Sequence, residues 1–214
     1  MANILEAAGC DRIISMDLHA SQIQGFTNLS FDNLYGIKLH IDRLKETVFK
    51  GLTQEEINSK YLLVSLDVGG AKIIRDFAKR LQMSHAIMDK QRDYSKPGTV
   101  VKSILIGDSV VGKVAICIDD MTDTCGTLVS GMTDLQEHVV IGAIIVVTHG
   151  IFSGPAFSRL NNSDMVEHVI VINTLDQTKN QERTDKLEIV DAGPLLAKVI
   201  RRIIEGGSIS EFFN

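Results

Sequence analysis

The segment richest in chemistry is Val114–Thr127, VAICIDDMTDTCGT. An apolar strand runs into two adjacent acids, Asp119 and Asp120, then a turn of small residues, then a helix. Thr124 and Thr127 hydroxyls and backbone N–H groups at a helix N-terminus form an anion cradle favoured by the helix dipole. Gly126 lets the backbone approach a phosphate closely. Asp119, Asp120 and Asp123 repel that phosphate, so they suit sugar hydroxyls or a magnesium ion carried by the ligand. The combination fits a phosphorylated sugar. A simpler role, capping the helix, leaves the two strand-end acids unexplained.

Other polar groups fall at corresponding places. Asp17 and His19 lie two apart at the end of an apolar run, Arg12–Met16, and so share a side. By itself this pair reads as a surface Asp with a hydrogen-bonded His. Asp67 precedes Gly69 and Gly70, which offer backbone amides to a pyrophosphate while the acid holds its magnesium. Turns use the same residues. Lys90 and Arg92 alternate onto one side of an extended segment leading into Arg92–Gly98, a polar stretch with Pro and Gly that reads as a mobile flap. Pyrophosphoryl transfer needs positive charge delivered in a closing, water-excluding site, which such a flap would supply. His149 ends another strand, where it either lines a sugar site or is a satisfied structural histidine.

The elements that must position these groups follow from hydrophobic patterning. Tyr61–Leu66, His85–Met88, Val114–Ile118, Ile144–Val147 and Val169–Ile172 are short apolar runs, and Arg12–Met16 is another. Ile73, Ile74, Phe77 and Leu81 mark one helix face, and Leu128, Met132 and Leu135 another. Buried strands alternating with amphipathic helices predict an α/β fold with a mostly parallel sheet covered on both faces. Ligands bind at the carboxyl ends of such strands. The first residues, Met1–Gly9, read as a helix with a Gly stop and no preceding strand to pack on.

Composition narrows the function classes. The 214 residues carry 22 Lys+Arg against 27 Asp+Glu, a net charge of −5. That balance lacks the basic excess of a nucleic-acid footprint. The longest apolar run, Val139–Val147, is nine residues, whereas a membrane span needs about 20. Glu6 comes early and no basic region precedes it, unlike a secretory signal. Cys10, Cys117 and Cys125 show no metal-ligand spacing and read as reduced thiols of a cytoplasmic protein.

The 119–127 loop resembles the ribose-phosphate loop shared by phosphoribosyltransferases and ribose-phosphate diphosphokinases (phosphoribosyl pyrophosphate synthetases). Several further segments resemble the synthetases specifically. They are Met16–Phe26 (MDLHASQIQGF), Asp32–Tyr35 (DNLY), Asp67–Lys72 (DVGGAK), Asp89–Arg92 (DKQR), Thr148–Ala156 (THGIFSGPA) and Gly206–Phe213 (GGSISEFF). The resemblance covers nearly the whole chain. It implies a parallel-sheet phosphoribosyltransferase-like domain at 37–200 on the ribose 5-phosphate side. It also implies a remnant of a second, similar domain at 1–36 on the ATP and metal side, and a tail at 201–214 packing on that remnant.

The implied reaction transfers diphosphate from ATP to C1 of ribose 5-phosphate for nucleotide biosynthesis. On the family pattern Asp119, Asp120, Asp123, Thr124, Cys125, Gly126 and Thr127 hold the sugar phosphate, with Cys125 as a small packing residue. His19, Asp67, Gly69 and Gly70 serve the ATP and pyrophosphate side, and Asp17, His19, Asp32 and Asp67 hold Mg2+. Lys90 and Arg92 are catalytic. Ser21, Gln24, Asn33, Tyr35, Ser208, Ser210 and Phe213 match a regulatory region between subunits of a homo- or hetero-oligomer.

The chain departs from the pattern at several points. It has Thr27, Asn28 and Ser30 where the family has an aromatic, an Asp and a Pro, and Leu66 and Val68 where it has Pro and Ala. Gly36-Ile37-Lys38 replaces small, acidic and Pro residues, and no segment resembles the ATP-gripping Arg-Gln-Asp. The resemblance therefore implies roughly the last two-thirds of a synthetase. A non-catalytic subunit assembling with complete ones is the alternative, and a standalone phosphoribosyltransferase a third.

Overall fold

The structure, a computed structural model, describes residues 1–92 and 100–213, without the side chains of residues 90–92 and 100–102. In chain order its elements are α1 (Ala2–Ala7), β1 (Arg12–Met16), β2 (Ser30–Leu34), α2 (Ile37–Glu46), α3 (Gln54–Lys60), β3 (Tyr61–Ser65) and α4 (Ala71–Leu81). There follow β4 (His85–Arg92), β5 (Val100–Gly107), β6 (Val114–Thr122), α5 (Gly126–Glu137), β7 (Gly142–Gly150), α6 (Ala156–Asn161) and β8 (Val166–Ile172). The chain closes with α7 (Thr178–Gln181), β9 (Leu187–Val190) and α8 (Gly193–Ile204).

Seven strands form one sheet in the order β5-β4-β3-β6-β7-β8-β9, all parallel except β5. Strand side chains alternate between two cores. Leu62, Val64, Ala115, Cys117, Ile145 and Val147 point to the face covered by α5 and α6. Leu63, Ile116, Ile118, Ile144, Val146 and Ile170 point to the face covered by α2, α3 and α4. Both faces are dry, which is why these strands read as unbroken apolar runs rather than alternating ones.

A second sheet contains only β1 and β2, paired in parallel. A 3₁₀ turn at Ser21–Phe26 carries the chain between them. A third apolar cluster joins this small sheet to the C-terminus: Leu34, Val199 and Ile209 are buried together, with Ile14, Phe212 and Phe213 against them.

Several boundaries differ from the sequence expectation. β6 runs on to Thr122, so Asp119 and Asp120 belong to the strand, held in register with β7. β4 likewise continues to Arg92 because β5 pairs with it antiparallel. Ile73 is exposed and only Ile74, Phe77, Ala78 and Leu81 are buried, because the apolar stripe of α4 is narrower than assumed. The expected flap at 92–98 lies, after Arg92, outside the described residues, as do the side chains of Lys90 and Arg92.

Candidate functional site

The strand order fixes where the site opens. From β3 the chain moves outward to β4. With β6 it returns to the other side of β3 and proceeds to β7, β8 and β9. The reversal between β3 and β6 separates α4 and α5 onto opposite faces and leaves a crevice at the carboxyl ends of those two strands. Asp67 follows β3, and Asp119 and Asp120 end β6. All three line one cleft of about 520 Å³, with Asp17, His19, Gly69 and Gly70.

The β3–α4 turn is built around Asp67. Its Oδ1 accepts from the Gly70 amide at 3.0 Å, and Ser65 Oγ donates to its carbonyl at 2.7 Å. A Cβ at Gly70 would collide with Ser65 Oγ, so the tight turn requires glycine there. The turn delivers Lys72 to the cleft wall at the start of α4.

Asp119 is the most perturbed carboxyl of the site. Burial, aided by the facing Asp120 and Asp67 charges, pushes its pKa up to about 7. Asp120 accepts from His19 Nδ1 at 2.6 Å, and that hydrogen bond raises the pKa of His19. His19 therefore meets the sheet through Asp120, across 101 residues of sequence.

Asp17 has a different surrounding. Its backbone is left-handed, with φ 42°. Its Oδ2 accepts from the Gly36 amide at 2.9 Å and from Thr148 Oγ1 at 2.6 Å. Burial nevertheless raises its pKa. A Cβ at Gly36 would lie 2.8 Å from that carboxylate and 2.6 Å from Ile172 Cδ1. Because Thr148 donates to Asp17, His40 Nε2 donates to Thr148 Oγ1, at 3.2 Å. Burial drops the His40 pKa to about 3, so the ring is neutral. Next to Thr148, His149 Nε2 donates to the Met16 carbonyl at 3.0 Å, and Nδ1 meets Thr174 Oγ1 at 2.8 Å. His149 is thus a satisfied structural histidine that joins β7 to the end of β1.

The residues expected to hold the metal have different surroundings. Among the described residues no three His, Cys, Asp or Glu side chains are grouped to hold a metal ion. Asp17 is engaged by Gly36 and Thr148, and His19 by Asp120. Asp32 pairs with Arg12 at 2.6 Å and stands outside the cleft lining.

The 123–127 loop leaves the cleft wall and enters α5. Asp123 accepts from the amide and hydroxyl of Ser153. Arg159 Nη1 donates to the Thr124 carbonyl at 2.7 Å. Cys125 takes a left-handed conformation, φ 57°, and its thiol is buried against Thr122 Oγ1. Burial raises the thiol's pKa. Cys125 can therefore offer a ligand only its backbone.

The expected regulatory residues divide. Ser21, Asn33, Tyr35 and Phe213 line the same cleft as the acids. Asn33 is buried, accepting from Ser15 Oγ and the Leu18 amide. Gln24 donates to the Ser21 carbonyl, and Ser208 and Ser210 bond to each other at 2.9 Å. None of these three lines the cleft.

Sequence reasoning missed Thr148 and His40, which immobilise Asp17, and Ser153 and Arg159, which hold the 123–127 loop. It also missed Asp76 and Arg80 on the cleft side of α4. The successive spacing of four, Lys72 to Asp76 to Arg80, was the available signal.

Fold and site together define an α/β protein that presents an acid-lined crevice at a topological switch point. The family model described as "Phosphoribosyl synthetase-associated domain" matches residues 89–214, more than half of the chain. The chain belongs to this phosphoribosyl pyrophosphate synthetase family. It is 42% identical over all 214 residues to ribose-phosphate pyrophosphokinase 2 of Saccharomyces cerevisiae, spanning 63% of that protein's length. It is also similar to the crystal structure of phosphoribosylpyrophosphate synthetase from Mycobacterium smegmatis, with TM-score 0.81 and 33% identity. That match covers 96% of this chain and 63% of the other. No helix among the described residues is long and apolar enough to cross a membrane.

Proposed function

We propose that the chain serves the ribose-phosphate diphosphokinase reaction, in which diphosphate passes from ATP to C1 of ribose 5-phosphate. The observation that carries this reading is the pairing of two strand-to-helix turns at one switch point. Both β3–α4 and β6–α5 present acids followed by a helix N-terminus, and β3 and β6 are neighbours. One turn suits the diphosphate and the other the sugar phosphate.

On this reading the α5 N-terminus, with Thr124, Gly126 and Thr127, takes the 5-phosphate, and Asp123 stands beside it. Asp119 and Asp120 accept from the ribose hydroxyls. The Gly69-Gly70 amides and Lys72 hold the diphosphate. The C1 hydroxyl oxygen forms a bond to the β-phosphorus of ATP while the α,β-bridging oxygen departs on AMP. Lys90 and Arg92 stabilise the charge that develops on the transferred group. Their backbone lies on β4 beyond its last pairing with β3, Ser65 with Ile87, on the carboxyl side of the sheet.

The donor set fits Mg2+ carried by substrate phosphates, which needs only one or two carboxylates from the protein. Asp67, Asp119 and Asp120 are hard oxygen donors, and burial, with the neighbouring acids adding to it, raises the pKa of Asp119. When bound, the ion supplies charge neutralisation on the diphosphate. We place the protein in the cytoplasm with no nucleic-acid partner.

A second reading is a subunit that binds sugar phosphate and works only with full-length family members. It is favoured by the β1–β2 sheet, which carries no third strand among the described residues. One assay decides: AMP release from ATP, ribose 5-phosphate and Mg2+, with the chain alone and mixed with the yeast relative. Release by the chain alone refutes the second reading. No release in either arm beyond that of the relative refutes the first. Base-dependent diphosphate release from phosphoribosyl pyrophosphate would point to a phosphoribosyltransferase.

A further inference from the structure

The 123–127 loop is braced from outside its own strand and helix. The connection after β7 reaches it at two points, one on each side of Thr124. Ser153 donates its amide and its hydroxyl to the Asp123 carboxylate. Arg159, on α6, donates Nη1 to the Thr124 carbonyl at 2.7 Å. The same guanidinium covers Gly126. A Cβ built there would lie 3.2 Å from Arg159 Nη1 and 3.7 Å from Cζ. Gly126 has no positive φ, so its small size here serves the seat of the guanidinium, not an unusual backbone. Cys125, between these contacts, is held in the left-handed conformation that costs a non-glycine residue energy. A strained turn persists only where its surroundings over-determine it, and Arg159 and Ser153 are those surroundings.

We infer that Arg159 is a positioning residue for the sugar-phosphate site: it fixes the Thr124–Gly126 backbone so that the N-terminal amides of α5 converge on the 5-phosphate. This rests on the sugar-phosphate reading above. Arginine suits the task better than lysine. Its planar fork can hold a carbonyl and lie flat over a glycine at once, whereas an ammonium is a point donor on a flexible stem. The guanidinium also adds positive charge beside the helix N-terminus, in the same sense as the helix dipole. Ser153 performs the complementary task of drawing the Asp123 carboxylate toward the β7–α6 connection.

The test is calorimetric titration of the full chain with ribose 5-phosphate, using ribose as the phosphate-free control. Arg159→Ala should weaken ribose 5-phosphate binding by about 10- to 100-fold, the scale of a lost hydrogen bond from a charged group, here the one that holds the Thr124 carbonyl. Ribose binding should change little. Millimolar methylguanidinium should restore much of the loss in Arg159→Ala, which a general folding defect would not allow. Arg159→Lys should fall between wild type and Ala, and it carries the test if the Ala variant does not fold. Wild-type affinity in the variants, or a loss that guanidinium fails to restore, would overturn the role of Arg159 alone. Failure of the wild-type chain to bind ribose 5-phosphate would overturn the sugar-phosphate reading itself, and this inference with it.

Discussion

Asp119→Asn should make the protein more stable at neutral and alkaline pH, and the reason is electrostatic. In the folded chain the Asp119 carboxyl keeps its proton up to a pH of about 7, against an ordinary value of 3.8. The unfolded chain releases that proton about three pH units earlier. Between those values the native state binds more protons than the unfolded state, so stability falls as pH rises. The penalty is complete above pH 7. At about 1.4 kcal/mol per unit it is on the order of 4 kcal/mol at most. Burial is the larger cause, and Asp120 and Asp67 titrate together with Asp119, so the recoverable part is smaller than that.

Asparagine keeps the shape and can still accept the Asp120 amide, which donates to Asp119 Oδ1 at 2.9 Å. The assay is urea unfolding of both proteins from pH 4 to 8.5 in chelator-containing buffer. The stability difference should favour the variant increasingly from pH 4 to 7 and level off above. Other groups titrate alike in both proteins and cancel. Parallel stability profiles, or a variant less stable than wild type at pH 8, would refute the account of a crowded, partly desolvated carboxyl.

Three further outcomes follow from named contacts. In Asp120→Asn, proton NMR titration should show the His19 pKa returning downward toward its ordinary value, because the Asp120 hydrogen bond holds it up. Gly36→Ala should destabilise by about 1–3 kcal/mol in denaturant unfolding, since its Cβ meets Ile172 and the Asp17 carboxylate within 3 Å. Thr148→Val should cost about 1–3 kcal/mol by the same measurement, because the buried Asp17 loses a donor and His40 Nε2 loses its acceptor.

The sheet was legible in the sequence because it is buried on both faces. Val114–Ile118 and Ile144–Val147 had to be apolar throughout, and helical stripes such as Leu128, Met132 and Leu135 had to separate them. The turn residues were legible too: a Cβ at Gly70 would collide with Ser65 Oγ, and one at Gly126 would crowd Arg159. Asp67, Asp119 and Asp120 could be picked out as a site because acids at strand ends have no packing purpose. The third dimension was needed for everything that crosses the chain. Nothing local in Asp-Leu-His shows that the Asp17 carboxylate accepts from Thr148, 131 residues away. Nor does anything local to Asp32 show the Arg12 guanidinium beside it.

The sequence by itself determined the α/β class, the family and the acid-bearing turns, because apolar periodicity and steric demand for glycine are written residue by residue. Only the tertiary structure decided which acids face the cleft and which internal bonds each of them makes. It also decided that His149 bonds to the Met16 carbonyl and that Arg159 bonds to the Thr124 carbonyl in the 123–127 loop. Hydrogen-bond partners and desolvation depend on distances in space, and strand order, not local sequence, sets those distances.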